Sequence, residues 1–132
     1  MSVPVLVVVG LLGGAGATAR YVLDRQVRRR VGGAYPCGIL VVNLSGAFVL
    51  GVLVGAAVRG DAYLLPGAGL LGAYTTFSAW VFNGYSLAVG GRRRLAVLDI
   101  VASLVLGLAA VWLGRKLGLG LATLPGVARR VP

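Results

Sequence analysis

Apolar residues dominate this chain in four long runs, roughly Pro4 to Val22, Cys37 to Val58, Tyr63 to Val89 and Leu95 to Leu113. Each is close to the ~20 residues that a helix needs to cross a ~30 Å hydrocarbon core. The connections are short and polar: an arginine-rich segment after the first run, Arg59-Gly60-Asp61 after the second, and Gly90-Gly91-Arg92-Arg93-Arg94 after the third. This pattern predicts an all-α integral membrane protein. It would form one compact four-helix transmembrane domain over residues 1–118, with a short C-terminal tail at 119–132.

The third run carries a polar interruption at its centre, Gly72-Ala73-Tyr74-Thr75-Thr76-Phe77-Ser78. Glycine and a series of hydroxyls offer the backbone alternatives to helical hydrogen bonding, and unpaired peptide groups in lipid cost several kcal/mol each. A helix broken there must line something polar: an ion, a water-filled path or a second subunit. The segment points to transport.

Composition agrees. Of 132 residues 58% are hydrophobic and 12% charged, against about a quarter charged in soluble domains. The net charge of +10 would suggest nucleic acid in a soluble protein. Here most of the basic residues sit at the ends of apolar runs (Arg25, Arg28, Arg29 and Arg30; Arg92, Arg93 and Arg94; Arg115 and Lys116). Anionic headgroups are their natural partner, so membrane lipids are expected and nucleic acid is not. The single cysteine, Cys37, excludes an intramolecular disulfide, and the absence of histidine removes the usual nitrogen and sulfur metal sites. With no glutamate and three scattered aspartates, acid/base catalysis is poorly supplied and an enzyme is not expected.

Ala17-Thr18-Ala19 matches a signal-peptide cleavage pattern, but no basic region precedes the apolar run, and Gly10, Gly13, Gly14 and Gly16 suit a packed helix better. One face of the predicted bundle holds Arg25, Arg28, Arg29, Arg30, Arg92, Arg93 and Arg94; the other holds Arg59, Arg115, Lys116, Arg129 and Arg130. Seven against five is a weak bias, mildly favouring a cytoplasmic first loop. A chain so nearly balanced is compatible with insertion in both orientations and an antiparallel dimer.

Small residues at four-residue spacing, Gly10 and Gly14, Gly51 and Gly55, Ala110 and Gly114, fit close helix packing. The embedded polar residues are few: Arg20, Asn43, Ser45, Thr75, Thr76, Ser78, Asn83, Asp99 and Ser103. Hydroxyls can bond the preceding turn of their own helix, and Arg20 can snorkel to the interface. Asn43 has two amide donors that are harder to hide. Phe77 and Trp80 share a face just beyond the interruption; lipid or core contact is one use of them. The other follows from the ring quadrupole, whose positive edge lets a dehydrated anion approach. Donors from Asn43, hydroxyls and ring edges suit a small anion, while carbonyls released at the break suit a cation.

Three blocks in series, Gly13-Gly14-Ala15-Gly16-Ala17-Thr18-Ala19-Arg20-Tyr21, Pro36-Cys37-Gly38-Ile39-Leu40-Val41-Val42-Asn43-Leu44-Ser45-Gly46-Ala47-Phe48 and Gly69-Leu70-Leu71-Gly72-Ala73-Tyr74-Thr75-Thr76-Phe77-Ser78, resemble the Fluc, or CrcB, fluoride channels. The resemblance covers essentially the whole chain from first to fourth run. It implies a dual-topology dimer of four-helix subunits in a bacterial cell membrane, with two antiparallel fluoride pores along the subunit interface. The third helix would break at its centre, where the carbonyls of Gly72 and Thr75 would bind a structural sodium ion on the dimer axis. Asn43 and Phe77 match pore-lining positions, Ser78 and Trp80 would line the pore with them, Ser103 falls on a polar track of the fourth helix that also lines it, and Arg20 matches a structural or vestibule arginine.

Trp80 stands where the family usually has a second pore phenylalanine, Asn83 where glutamate is common, and Asp99 in a region where tyrosine is typical. A carboxylate beside an anion path repels the ion, so Asp99 pairs with an arginine, faces away, or marks a subunit that conducts only beside a paralogous partner. The expected function is passive fluoride efflux that limits cytoplasmic toxicity. The alternatives are a non-self-sufficient subunit of a heterodimeric fluoride channel, a small multidrug-resistance-type transporter, which needs an embedded carboxylate, and a membrane scaffold.

Overall fold

The computed structural model describes residues 2–32 and 35–123; Arg129 and Arg130 of the expected tail lie outside them. The described secondary structure is helical throughout: α1 (Val3–Val31), α2 (Cys37–Gly55), α3 (Asp61–Tyr63), a π-helical stretch (Leu64–Leu71), α4 (Gly72–Tyr74), α5 (Ser78–Val89) and α6 (Arg93–Ala122). Among the described residues three helices, α1, α2 and α6, are long and apolar enough to cross a membrane by length and composition.

Two helices outrun their apolar stretches. The arginine-rich segment after Val22, expected as a connection, is the helical continuation of α1, which has 29 residues and a length of about 43 Å. Arginine is a good helix former, Arg28 Nε lies 2.8 Å from Asp24 Oδ1 one turn back, and Arg28, Arg29 and Arg30 occupy the last turn, where the helix dipole favours cations. Gly32, at φ 64°, ends the helix in a conformation that glycine adopts without steric cost. In the same way α6 runs past Leu113 to Ala122, with Lys116 Nζ 5.6 Å from the Trp112 ring. By contrast α2 stops at Gly55, short of Val58, and the chain turns through Ala57 at φ 54°.

The third apolar run is in pieces. Pro66 removes one amide donor inside Leu64–Leu71, where Gly67, Ala68 and Gly69 follow it, and a wider π turn relieves the clash that proline makes with a tight helix. Helical geometry then ends at Tyr74, because Thr75 is extended at φ −75° and ψ 156°, and resumes at Ser78.

At the centre stands α2, packed most extensively against α6 and flanked by α1. The α2/α6 contact is a glycine seam: Gly51 lies on the Val111 carbonyl and Gly55 on that of Arg115, while Gly114 lies on the Phe48 carbonyl and Gly118 on that of Val52. Backbone meets backbone with no side chain between, the close approach that small residues allow in membranes. Likewise Gly16 of α1 sits on the Leu70 carbonyl of the π stretch. Gly10 and Gly14 are different, since a Cβ at either would meet nothing within 4 Å. Leu11, Phe82 and Leu108 are among many large apolar residues on the outer surface, as expected where the solvent is lipid.

Candidate functional site

The residues Thr75–Phe77, between α4 and α5, are fastened to α2 by one side chain. Asn43 Nδ2 donates to the Thr76 carbonyl at 2.9 Å, and the Thr76 amide donates to Asn43 Oδ1 at 2.9 Å. The asparagine amide thereby mimics a peptide group and satisfies both backbone polar atoms of Thr76. It retains a second Nδ2 hydrogen.

This arrangement redirects two amides. In a continuous helix the Thr76 N–H would go to the Gly72 carbonyl and the Ala79 N–H to that of Thr75. Instead they go to Asn43 Oδ1 and, at 3.3 Å, to Thr76 Oγ1. The Gly72 and Thr75 carbonyls therefore lack their helical donors. The Thr76 hydroxyl also lies 3.3 Å from Ser78 Oγ, at the start of α5. Thr75 Oγ1 bonds back to the Leu71 carbonyl at 2.9 Å, and its methyl packs on Gly46 of α2. Tyr74 is held too, its hydroxyl 2.8 Å from Ser45 Oγ, which donates to the Val42 carbonyl.

Three cavities meet at Asn43. A cleft of about 430 Å³ lies between α2 and the π stretch, bordered by Asn43, Gly46, Tyr63, Gly67, Gly72 and Thr75. A second, of about 240 Å³, is bordered by Asn43, Thr75, Thr76, Phe77 and Trp80. A third, also about 240 Å³, lies between α2, α5 and α6, with Asn43, Leu40, Leu44, Trp80, Ser103 and Leu104 in its wall. The Phe77 side chain is 74% exposed, and its ring packs on that of Trp80, centroids 5.5 Å apart at 58°.

The structure brings Asn43, Gly72, Thr75, Phe77, Ser78 and Trp80 to one locality, with Ser103 reaching it through the third cavity. Arg20 is half-buried on α1, and none of the hydrogen bonds that join the break to α2 involves it. Asp99 is 2% exposed and borders none of the three cavities. Its Oδ1 accepts the Tyr35 hydroxyl at 2.8 Å, so its partner is a tyrosine where an arginine was one expectation. Burial, with the Asp99 hydrogen bond and charge second, pushes the Tyr35 hydroxyl pKa above its ordinary value. Sequence reasoning missed Tyr35 because the two residues are 64 apart. It also missed Thr76 as the residue that Asn43 grips.

The chain is similar to known proteins over most of its length. Residues 7–115 match the family described as CrcB-like protein, Camphor Resistance (CrcB). A protein of Mycolicibacterium paratuberculosis named fluoride-specific ion channel FluC 2 is 47% identical over 116 residues, 88% of this chain and 95% of its own length. A Mycobacterium bovis protein of the same name is 44% identical over 87% of this chain and 91% of its own. Fluoride-specific ion channel FluC 1 of Symbiobacterium thermophilum is 41% identical over 86% and 97%. With membrane-capable helices and relatives that are ion channels, the chain is a multi-pass membrane protein, and it belongs to the CrcB family.

Proposed function

We propose that this chain forms a fluoride-specific channel, letting the anion leave the cytoplasm passively down its electrochemical gradient. The observation that carries the reading is Asn43, which braces the break through Thr76 and borders three cavities while keeping one N–H to offer. Fluoride is small and strongly hydrated. A path through lipid must replace its water with positioned donors, and Asn43, Ser78 and Ser103, with the ring edges of Phe77 and Trp80, are of that kind.

On this reading α3 to α5 together make a fourth crossing from two short halves, and a second subunit in antiparallel orientation covers the break. Non-helical backbone at membrane depth is tolerated only against protein or a water-filled cavity, and the exposed Phe77 ring marks the surface to be covered. The second subunit is another copy or a paralogue, a choice to which the numbered names FluC 1 and FluC 2 of the relatives are relevant. The Gly72 and Thr75 carbonyls, without their helical donors, fit a sodium ion shared with that subunit. They are neutral hard oxygens, and the described residues hold no cluster of His, Cys, Asp or Glu that could serve as a metal site instead. A bound sodium would supply fixed positive charge at the break; the protein's part is to keep those carbonyls turned out of the helix, which the Asn43 clamp does. Arg20, toward the end of the apolar part of α1, adds positive charge near a vestibule.

Purified chain in liposomes should release internal fluoride and retain chloride, with Asn43→Ala and Phe77→Ile abolishing release while the protein still assembles. Wild-type vesicles that hold fluoride, alone and with any co-expressed paralogue, would overturn the reading. Proton-coupled export of cationic drugs is less well supported, since the embedded carboxylate it needs, Asp99, is tied to Tyr35 away from the three cavities.

A further inference from the structure

Between α5 and α6 lies a groove of about 490 Å³, inside the range of about 300–1,000 Å³ that small-molecule sites occupy. Its lining comes from these two helices alone, and every lining residue except Arg93 is glycine, aliphatic or aromatic. Ala88 and Arg93 stand at one end, beside the polar turn Gly90-Gly91-Arg92, and Trp80 and Ile100 at the other. From Arg93 to Ile100 the helix rises about 10 Å, so the groove runs from the headgroup level into the apolar part of α6. A Cβ at Gly84, midway along α5, would meet nothing within 4 Å, and the chain itself leaves this space unfilled. An occupant must be apolar along its length and answer a guanidinium at one end.

The chain has little of its own to offer Arg93, which is exposed. Of its three acidic residues, Asp24 is paired with Arg28, Asp99 is 2% exposed and tied to Tyr35, and Asp61 precedes the third apolar run where Arg93 follows it. A second copy brings the same three acids with thirteen basic residues, which makes it a poor charge complement in either orientation. Helix stability does not account for Arg93 either, since the first turn of α6 carries no acid and the helix dipole opposes cations there.

We propose that the α5/α6 groove is a binding site for an anionic phospholipid, its phosphate held by Arg93 and one acyl chain lying over Gly84 and Ala88 toward Trp80 and Ile100. A guanidinium matches phosphate oxygens with paired hydrogen bonds, and basic pockets between membrane helices select anionic headgroups in this way. The site shares only Trp80 with the three cavities that meet at Asn43. It depends on the chain lying in a membrane and not on which ion the protein carries. A seated acyl chain fills the space between the two helices and so steadies α5, which has twelve residues.

The test uses the full chain with Trp112→Phe, which leaves Trp80 as its one tryptophan, in phosphatidylcholine vesicles doped with phosphatidylglycerol brominated on its acyl chains. Bromine quenches indole fluorescence at close range. Quenching of Trp80 should saturate, with a midpoint about fivefold or more below that of brominated phosphatidylcholine, the scale of one basic residue acting on an anionic headgroup. Arg93→Gln should bring the two midpoints together. Arg94→Gln, an equal loss of charge outside the groove, should keep most of the difference. Gly84→Leu puts its side chain into the unfilled space and should remove the saturable quenching by both lipids. Equal midpoints in the parent protein, a preference that survives Arg93→Gln or is lost equally with Arg94→Gln, or quenching unchanged by Gly84→Leu would each overturn the site. So would a Trp80 that neither brominated lipid reaches, the result expected if a second copy fills the groove.

Discussion

The Tyr35 hydroxyl donates to Asp99 Oδ1 at 2.8 Å and so ties the segment before α2 to the N-terminal part of α6, 64 residues later. Among the described residues this is the only hydrogen bond to a carboxylate that is 2% exposed, since Oδ2 has none. Removing the donor is therefore worse than removing the charge. Tyr35→Phe is expected to lower stability by about 1–3 kcal/mol, the cost of orphaning a buried acceptor. Asp99→Asn, which keeps an acceptor for Tyr35, should cost less or stabilise. Thermal unfolding in detergent of the two single variants and the double variant checks this, and additive losses would show that the pair is not coupled.

The raised pKa of Tyr35 has a definite consequence for alkaline stability. Folding favours the protonated phenol, so its contribution is fully present below the ordinary value of about 10 and is lost as pH rises from there through the higher folded value. Wild type should lose thermal stability above about pH 10 more steeply than Tyr35→Phe. Identical slopes for the two proteins would contradict the assignment.

At the break, Asn43→Asp keeps the acceptor for the Thr76 amide but loses the donor to the Thr76 carbonyl and places a negative charge at the meeting point of the three cavities. Fluoride efflux should fall by well over tenfold with a modest loss of stability. Asn43→Ala, which orphans the Thr76 amide and carbonyl together, should cost about 2–4 kcal/mol as well as efflux. Efflux measured by fluoride electrode beside thermal unfolding separates the two effects. An Asn43→Asp channel as fast as wild type would remove Asn43 from the path.

If sodium is held by the Gly72 and Thr75 carbonyls, it should stabilise the assembled protein by mass action. The unfolding temperature is expected to rise with sodium and not with equimolar choline. Thr75→Ala should keep this response, because it leaves the carbonyl in place. A response equal for sodium and choline would rule the ion out.

How much of this was legible beforehand follows from distance along the chain. The polar break is visible in Gly72 to Ser78 because its signals are local: a glycine, four hydroxyls and the loss of apolar periodicity within a few residues. The α1 terminus was misplaced because arginine reads as a loop in a hydropathy count, whereas an Asp24–Arg28 pair one turn apart continues the helix. Asn43 stood out as an amide that needs partners, but its grip on Thr76 spans 33 residues, and nothing local names the recipient. The buried indole N–H of Trp80, which finds no partner among the described residues, is a property of packing among three helices and has no sequence signature at all.

The glycine seam yields a further contrast. Gly114→Ala would drive a methyl into the Phe48 carbonyl, and Gly51→Ala into that of Val111, backbone atoms that cannot rotate aside. Each should cost about 1–3 kcal/mol or more, whereas Gly10→Ala and Gly14→Ala should leave the fold of a single chain intact. Comparable losses at all four positions would mean that a second subunit rests on the Gly10 and Gly14 face.

Because α2 and α6 meet main chain to main chain, two of the three walls around the Trp80 cavity form a frame whose spacing is set by contact between backbones rather than by side-chain rotamers. Side chains breathe; peptide groups in contact do not. The aperture can then widen chiefly by motion of α5, the short helix that carries Trp80 and begins just after Phe77. Discrimination by ion size would thus depend on how firmly a twelve-residue helix is braced at its start, and the brace there is the hydroxyl of Thr76, which receives the Ala79 amide.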